Sequence, residues 1–224
     1  IRGISTYSID FRRHKLLRRF NSNWLVTPCG ALYNVIKSIY ANRRVVMENI
    51  IVYGSQYGST RRYAQKLSEQ TGIPAVSYKE APVLSNRKII VYLGSLYAGG
   101  VLGLAKTMRG VSLRSGQRLL IVTVGLADPN EAENQNNIRA SLQKQLPSAL
   151  LDRAKMFQLR GGIDYQRLSF GHRTMLKLLY QSLRKIPPEK QTAENQAFIE
   201  TYGKQVDFTD FNTLEPIIRE INTR

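Results

Sequence analysis

The chain has 224 residues and a mass of 25.5 kDa, with 42 % apolar and 22 % charged residues. That is enough for one sizeable core and short for two. A single Cys (Cys29) excludes an intramolecular disulfide framework and any multi-cysteine zinc or iron–sulfur site, two His (His14, His172) leave little for a histidine metal site, and no apolar run is long enough to span a bilayer as a helix.

Against 16 acids stand 33 Lys and Arg, a net charge of +17, and the excess is uneven. Residues 1–46 carry nine basic residues and the single acid Asp10, whereas residues 47–224 carry 24 basic and 15 acidic residues. The first 46 residues show no period of 3.6 or 2. Trp24-Leu25-Val26 is broken by Thr27-Pro28, which does not make a secretory signal. If Arg43 and Arg44 are both encoded AGG, the message reads AGGAGG two codons before the ATG of Met47, a bacterial ribosome-binding sequence. Residues 1–46 are therefore expected to be a translated upstream region, outside the fold.

From Met47 the period alternates. Ile50-Ile51-Val52-Tyr53 is a short β-branched run, as in a strand buried on both faces. Gly54 to Thr60 is a turn, 61–70 an amphipathic helix stopped by Gly72, and 73–78 a short second strand. Residues 88–94 predict a third strand, about 101–109 a helix, 119–124 a fourth strand, 131–146 a helix closed by Pro147, and 154–159 a fifth strand ending at Gly161-Gly162. Helices over about 170–185 and 213–222 flank a polar insert at 186–206 that reads as a surface excursion. Five strands separated by helices predict an α/β fold, a five-stranded parallel sheet with helices on both faces. Ligands of such sheets sit at the carboxyl ends of the strands, which here means the loops 54–60, 94–100 and 124–129.

The first loop, Ser55-Gln56-Tyr57-Gly58-Ser59-Thr60, offers three hydroxyls, a glycine for close backbone approach and the free N–H groups of a helix start. Together these favour a phosphate. The Walker lysine and the Rossmann glycine pattern are both absent. A plain strand-to-helix turn capped by Ser59 or Thr60 is the other reading.

At these residues the chain resembles the flavodoxin family, whose first loop follows a Thr/Ser-x-x-Gly-x-Thr pattern around the phosphate of FMN. Ser55, Gly58 and Thr60 fit it, with Gln56, Tyr57 and Ser59 between them. The resemblance implies FMN as cofactor. It also implies that Ser95, Leu96, Tyr97, Ala98 and Gly99 hold the flavin ring beneath an aromatic, Tyr97, with backbone contacts from Gly125 and Leu126. On the residues alone, Tyr97 reads equally as a half-exposed loop tyrosine.

Further on, Gly161-Gly162-Ile163-Asp164-Tyr165, the basic Met175-containing segment, the polar insert and Val206-Asp207-Phe208-Thr209-Asp210-Phe211 occur in that order. This is similar to the menaquinone-dependent protoporphyrinogen dehydrogenase branch of flavodoxin-like proteins, although Phe211 stands where that branch has Trp. The branch implies a small-molecule redox donor, protoporphyrinogen, and a quinone or redox-protein acceptor.

In 170–185, His172, Met175, Leu176, Leu179 and Leu183 follow a helical period and predict a core stripe, with Arg173, Lys177 and Arg184 on a neighbouring face. That basic face is either solvated or meets an anionic surface such as membrane lipid, propionates or an acidic redox partner. His172 reads as a surface or capping residue, and no Ser/His/Asp array or paired carboxylate is evident. The leading expectation is an FMN-dependent oxidoreductase, cytoplasmic or peripheral at the inner face of the membrane. An FMN electron carrier without its own substrate is the alternative, though carrier flavodoxins are acidic. A flavin-free module binding nucleic acid or lipid is a third reading, disfavoured by the intact hydroxyl loop, and no nucleic-acid partner is expected.

Overall fold

The computed structural model describes residues 49–97 and 99–223; the expected leader at 1–46, Met47 and Ala98 lie outside the described residues. β1 is Ile50–Gly54. β2 (Ala75–Ser77) and β3 (Ile89–Tyr97) pair with it in parallel on either side, in registers that place Ile51 against Ala75 and Gly54 against Gly94. β5 (Arg118–Gly125) pairs in parallel with β3, and β6 (Ala154–Arg160) with β5. The order is β2-β1-β3-β5-β6, the expected parallel sheet. A two-residue strand, β4 (Gly100–Val101), returns antiparallel along the end of β3, with Leu96 opposite Val101.

The continuous apolar strands are explained by burial on both faces. Alternate residues serve two cores. Ile50, Val52, Ile90, Tyr92 and Ile121 pack with Leu104 of α2 (Leu104–Thr107), Ile138 and Leu142 of α3 (Ala132–Gln143) and Leu151 of α4 (Ser148–Leu151). On the other face Ile51, Val91, Leu93 and Val122 pack with Tyr63, Ala64 and Leu67 of α1 (Ser59–Thr71) and with Ile217 and Ile221 of α7 (Glu215–Asn222). Each fully buried side chain of this size contributes roughly 1.5–3 kcal/mol relative to exposure. Helices therefore cover both faces.

Four expectations are corrected. The strand expected to end at Gly94 runs on to Tyr97, because β4 supplies backbone partners beyond the parallel ladder. The helix expected over 101–109 shrinks to α2, because Val101 pairs with Leu96 and Gly103 adopts a left-handed φ of 79° at the helix start. The single helix expected over 131–146 ends at Gln143, and α4 follows Pro147. The insert at 186–206, read as a surface excursion, carries α6 (Ala193–Thr201) and leads into β8 (Gln205–Asp207). β8 pairs antiparallel with β7 (Gly162–Asp164) as a separate small sheet. A third core lies here, formed by Ile163, Phe198 and the buried Leu176 and Leu183 of α5 (Phe170–Leu183), with Tyr57 and Leu126 packed against it. The apolar stripe expected along α5 divides: Leu176 and Leu183 are buried, whereas Met175 and Leu179 are exposed.

Candidate functional site

The carboxyl ends of β1, β3 and β5 bring the three predicted loops to one edge. In the first loop, Gly58 stands as the N-cap of α1 with a φ of 100°, a conformation L side chains rarely adopt. Its amide donates to Ser55 Oγ at 3.2 Å, closing the loop on itself. No side chain caps α1, in contrast to the reading of Ser59 or Thr60 as the cap. The amides of Ser59, Thr60 and Arg61 have no acceptor among the described residues. Thr60 is 1 % exposed and its hydroxyl makes no hydrogen bond there either. Free amides and the positive end of the helix dipole together poise this helix start for an anion.

Ser59 has a different task. Its Oγ donates to the Gly162 carbonyl at 3.1 Å and accepts the Gly162 amide at 3.0 Å, fastening the first loop to β7. The Gly161 amide donates to the Gly125 carbonyl at 2.7 Å, so the same glycine pair also holds the third loop. A Cβ on Gly162 would collide with the Val206 carbonyl, which explains glycine there.

The second loop is the extension of β3. Ser95 Oγ is buried without a partner, and Leu96 packs partly into the first core. Tyr97 meets Tyr57 edge-on, with ring centroids 6.4 Å apart, and its hydroxyl donates to Met175 Sδ at 3.2 Å. Gly99 is exposed with a φ of 78°, and its carbonyl accepts from Ser141 Oγ at 2.8 Å. Gln56 Nε2 lies 2.9 Å from His172 Nε2, and the Tyr57 ring packs edge-on against the same imidazole at 6.3 Å. The Tyr57 hydroxyl is buried and unpartnered, and burial, with Tyr97 beside it, pushes its pKa up to about 12. It is a neutral donor at physiological pH and cannot act as a base there.

In the third loop, Gly125 lies against Leu96 and Glu194. The amides of Leu126 (3.0 and 3.2 Å) and Ala127 (3.0 Å) donate to the Glu194 carboxylate of α6. These amides already hold an anion, one supplied by the chain itself.

Residues 50–190 match the family described as a flavodoxin domain, well over half of the chain. The chain belongs to the flavodoxin domain family. No curated protein matches it. Among solved structures it is similar to two proteins provisionally named flavoproteins. One, from Bacteroides eggerthii, is 14 % identical, with 58 % of this chain and 96 % of that one covered at a TM-score of 0.36. The other, from Bacteroides uniformis, is 13 % identical, with 53 % and 93 % covered at a TM-score of 0.36.

In this flavodoxin domain the phosphate end of the predicted site fits its group: free amides, the unpaired hydroxyl of Thr60 and a glycine at which an added Cβ would meet nothing within 4 Å. At the other end the loops make contacts within the chain itself. Leu126 offers its amide to Glu194, and the aromatics close on one another. Sequence reasoning missed Glu194, Gly162, His172 and Met175 as neighbours of these loops. His172 does sit in a cap, where its amide donates to Ser169 Oγ, yet its ring reaches back across 116 residues to Gln56. Among the described residues no group of three or more His, Cys, Asp or Glu could hold a metal ion. No helix there is long and apolar enough to cross a membrane.

Proposed function

We propose that the protein binds FMN and works as an FMN-dependent oxidoreductase. Its phosphate would be held by the amides of Ser59, Thr60 and Arg61 and the hydroxyls of Ser55 and Thr60, and its ring by the second and third loops beside Tyr97. The observation that carries the reading is the uncapped start of α1, with unspent amides behind a left-handed Gly58, at the carboxyl edge of a flavodoxin sheet. When bound, FMN supplies reversible one- and two-electron chemistry. The chain's own residues bind and enclose. Gly58 and Ser55 shape the anion site, Ser59 ties it to Gly162, and Tyr57 excludes water between the loops and the third core. The branch resemblance makes protoporphyrinogen the donor to assay first and a quinone the acceptor.

The test is titration of the full chain with FMN, riboflavin and FAD, followed by flavin fluorescence. FMN is expected to saturate at one equivalent, and riboflavin, which lacks the phosphate, to bind at least tenfold more weakly. Equal binding of riboflavin would reject the phosphate assignment, and no binding of FMN would reject the whole reading. Reduction of a menaquinone analogue by the loaded protein with protoporphyrinogen then separates an enzyme from a carrier, which would turn over only with a protein partner.

A further inference from the structure

Five large apolar side chains are exposed among the described residues, and four of them lie on one helix, α5: Phe170 (87 %), Met175 (37 %), Leu178 (63 %) and Leu179 (40 %). At about 100° per residue these four spread over one half of the helix, from Phe170 through Leu178 and Met175 to Leu179, which adjoins the buried Leu176 and Leu183. The surface that flanks them is cationic. Arg173, Lys177, Arg184 and Lys185 are all exposed, and no Asp or Glu occurs between Phe170 and Ile186. Lys177, Arg184 and Lys185 line an open cleft of about 520 Å³ with Tyr180, Gln181 and Tyr202, and the last two tyrosine rings stack at 4.0 Å as its wall.

We infer that α5 is a docking surface for an anionic phospholipid bilayer. Phe170 and Leu178 would enter the boundary between headgroups and acyl chains, and the cations would meet lipid phosphates. An apolar strip bordered by Lys and Arg, on a helix lying along the protein surface, is the composition of an interfacial helix. Charge decides the occupant. Four cations without an acid repel a second copy of the same face, and four exposed apolar side chains are of no use to a nucleic acid. The helix also adjoins the candidate site, since Met175 accepts from Tyr97 and His172 contacts Gln56. Docking in this orientation would set that edge of the three loops at the lipid surface, where a lipid-soluble acceptor resides. The docking stands without bound flavin, so its test does not depend on the proposed redox activity.

The experiment is co-sedimentation of the full chain with vesicles of phosphatidylcholine alone and of phosphatidylcholine with phosphatidylglycerol. The expected result is binding to the anionic vesicles only, reduced at least about tenfold both in Phe170→Ser/Leu178→Ser and in Arg173→Glu/Lys177→Glu, with unchanged melting temperatures. All substituted side chains are exposed, so the fold is expected to survive. Undiminished binding of Phe170→Ser/Leu178→Ser would overturn the inference, because the attraction would then be charge alone, the basic residues of 1–46 included. Failure of the parent to bind, or a dimer in lipid-free solution abolished by Phe170→Ser/Leu178→Ser, would overturn it as well.

Discussion

The Glu194 carboxylate accepts the Leu126 amide at 3.0 Å, although 68 residues separate the two in the chain. It accepts from Ala127 also, so a helix of the insert places a negative charge at the loop expected to face the flavin ring. That charge opposes accumulation of negative charge on a bound, reduced ligand. Glu194→Gln keeps an acceptor and removes the charge, whereas Glu194→Ala removes both. With FMN bound, the midpoint potential of both variants is expected to move positive. Glu194→Ala alone is expected to increase proteolysis within 186–206, because it also frees the insert. A potential unchanged in both variants would show that this loop does not face the ring.

The hydroxyls of the first loop divide into two classes with opposite signatures. Thr60 is buried with a free hydroxyl, and Ser59 is fully engaged with Gly162. Thr60→Ala is expected to weaken FMN binding by about 1–3 kcal/mol with little change in melting temperature. Ser59→Ala is expected to lower stability by about 1–2 kcal/mol, through two lost hydrogen bonds, while affecting FMN less. Titration and thermal melts of the two variants, measured side by side, check the division. The reverse pattern would exchange the two roles.

The sheet is legible in the sequence because strands buried on both faces are continuous apolar runs. Ile50 to Tyr53 and Leu119 to Val124 can be little else. The first loop is legible because hydroxyls, glycine and helix start are adjacent in the chain. What escapes is set by contacts distant in sequence. Gly162 pairs with Asp207, and nothing local in either residue announces it. Glu194 lies in an insert whose helix has little amphipathic period, so no pattern points its carboxylate at Leu126. Periodicity identifies Met175 and Leu179 as apolar, but only the placement of α5 on the third core decides that Leu176 is covered and they are not.

Gly54 and Gly94 are register partners on β1 and β3, and both lie against the β4 turn. A Cβ on Gly54 would run into the carbonyl of Leu102, and one on Gly94 into the Val101 side chain. Backbone yields less readily than a side-chain methyl. Gly54→Ala is therefore expected to destabilise by about 1–3 kcal/mol, more than Gly94→Ala, and to disturb the second loop by displacing β4. Urea denaturation of the two variants gives the comparison, and equal stability of Gly54→Ala and parent would contradict the close approach.

The carboxyl-terminal helix is tied to the sheet by charge. Arg118 Nη2 donates to Glu220 Oε1 at 2.6 Å and also to the Glu220 carbonyl, Arg118 Nη1 donates to the Thr223 carbonyl at 2.7 Å, and Lys155 Nζ lies 3.2 Å from Glu220 Oε2. The hydrogen bond from Arg118, aided by Lys155 and partly opposed by burial, holds the Glu220 carboxyl below its ordinary value of 4.5. A carboxylate whose pKa is lower in the folded than in the unfolded chain stabilises the fold above the unfolded value, and that contribution is lost as pH falls through the folded one. Glu220→Gln is thus expected to cost about 1 kcal/mol at neutral pH, a fall of roughly 2–4 °C in melting temperature. The gap between variant and parent should begin to close near pH 4.5 and vanish once the folded carboxyl is protonated. Melting curves of both proteins from neutral to acid pH test this. A gap that persists unchanged into acid would assign the stabilisation to the shape of the side chain rather than to its charge.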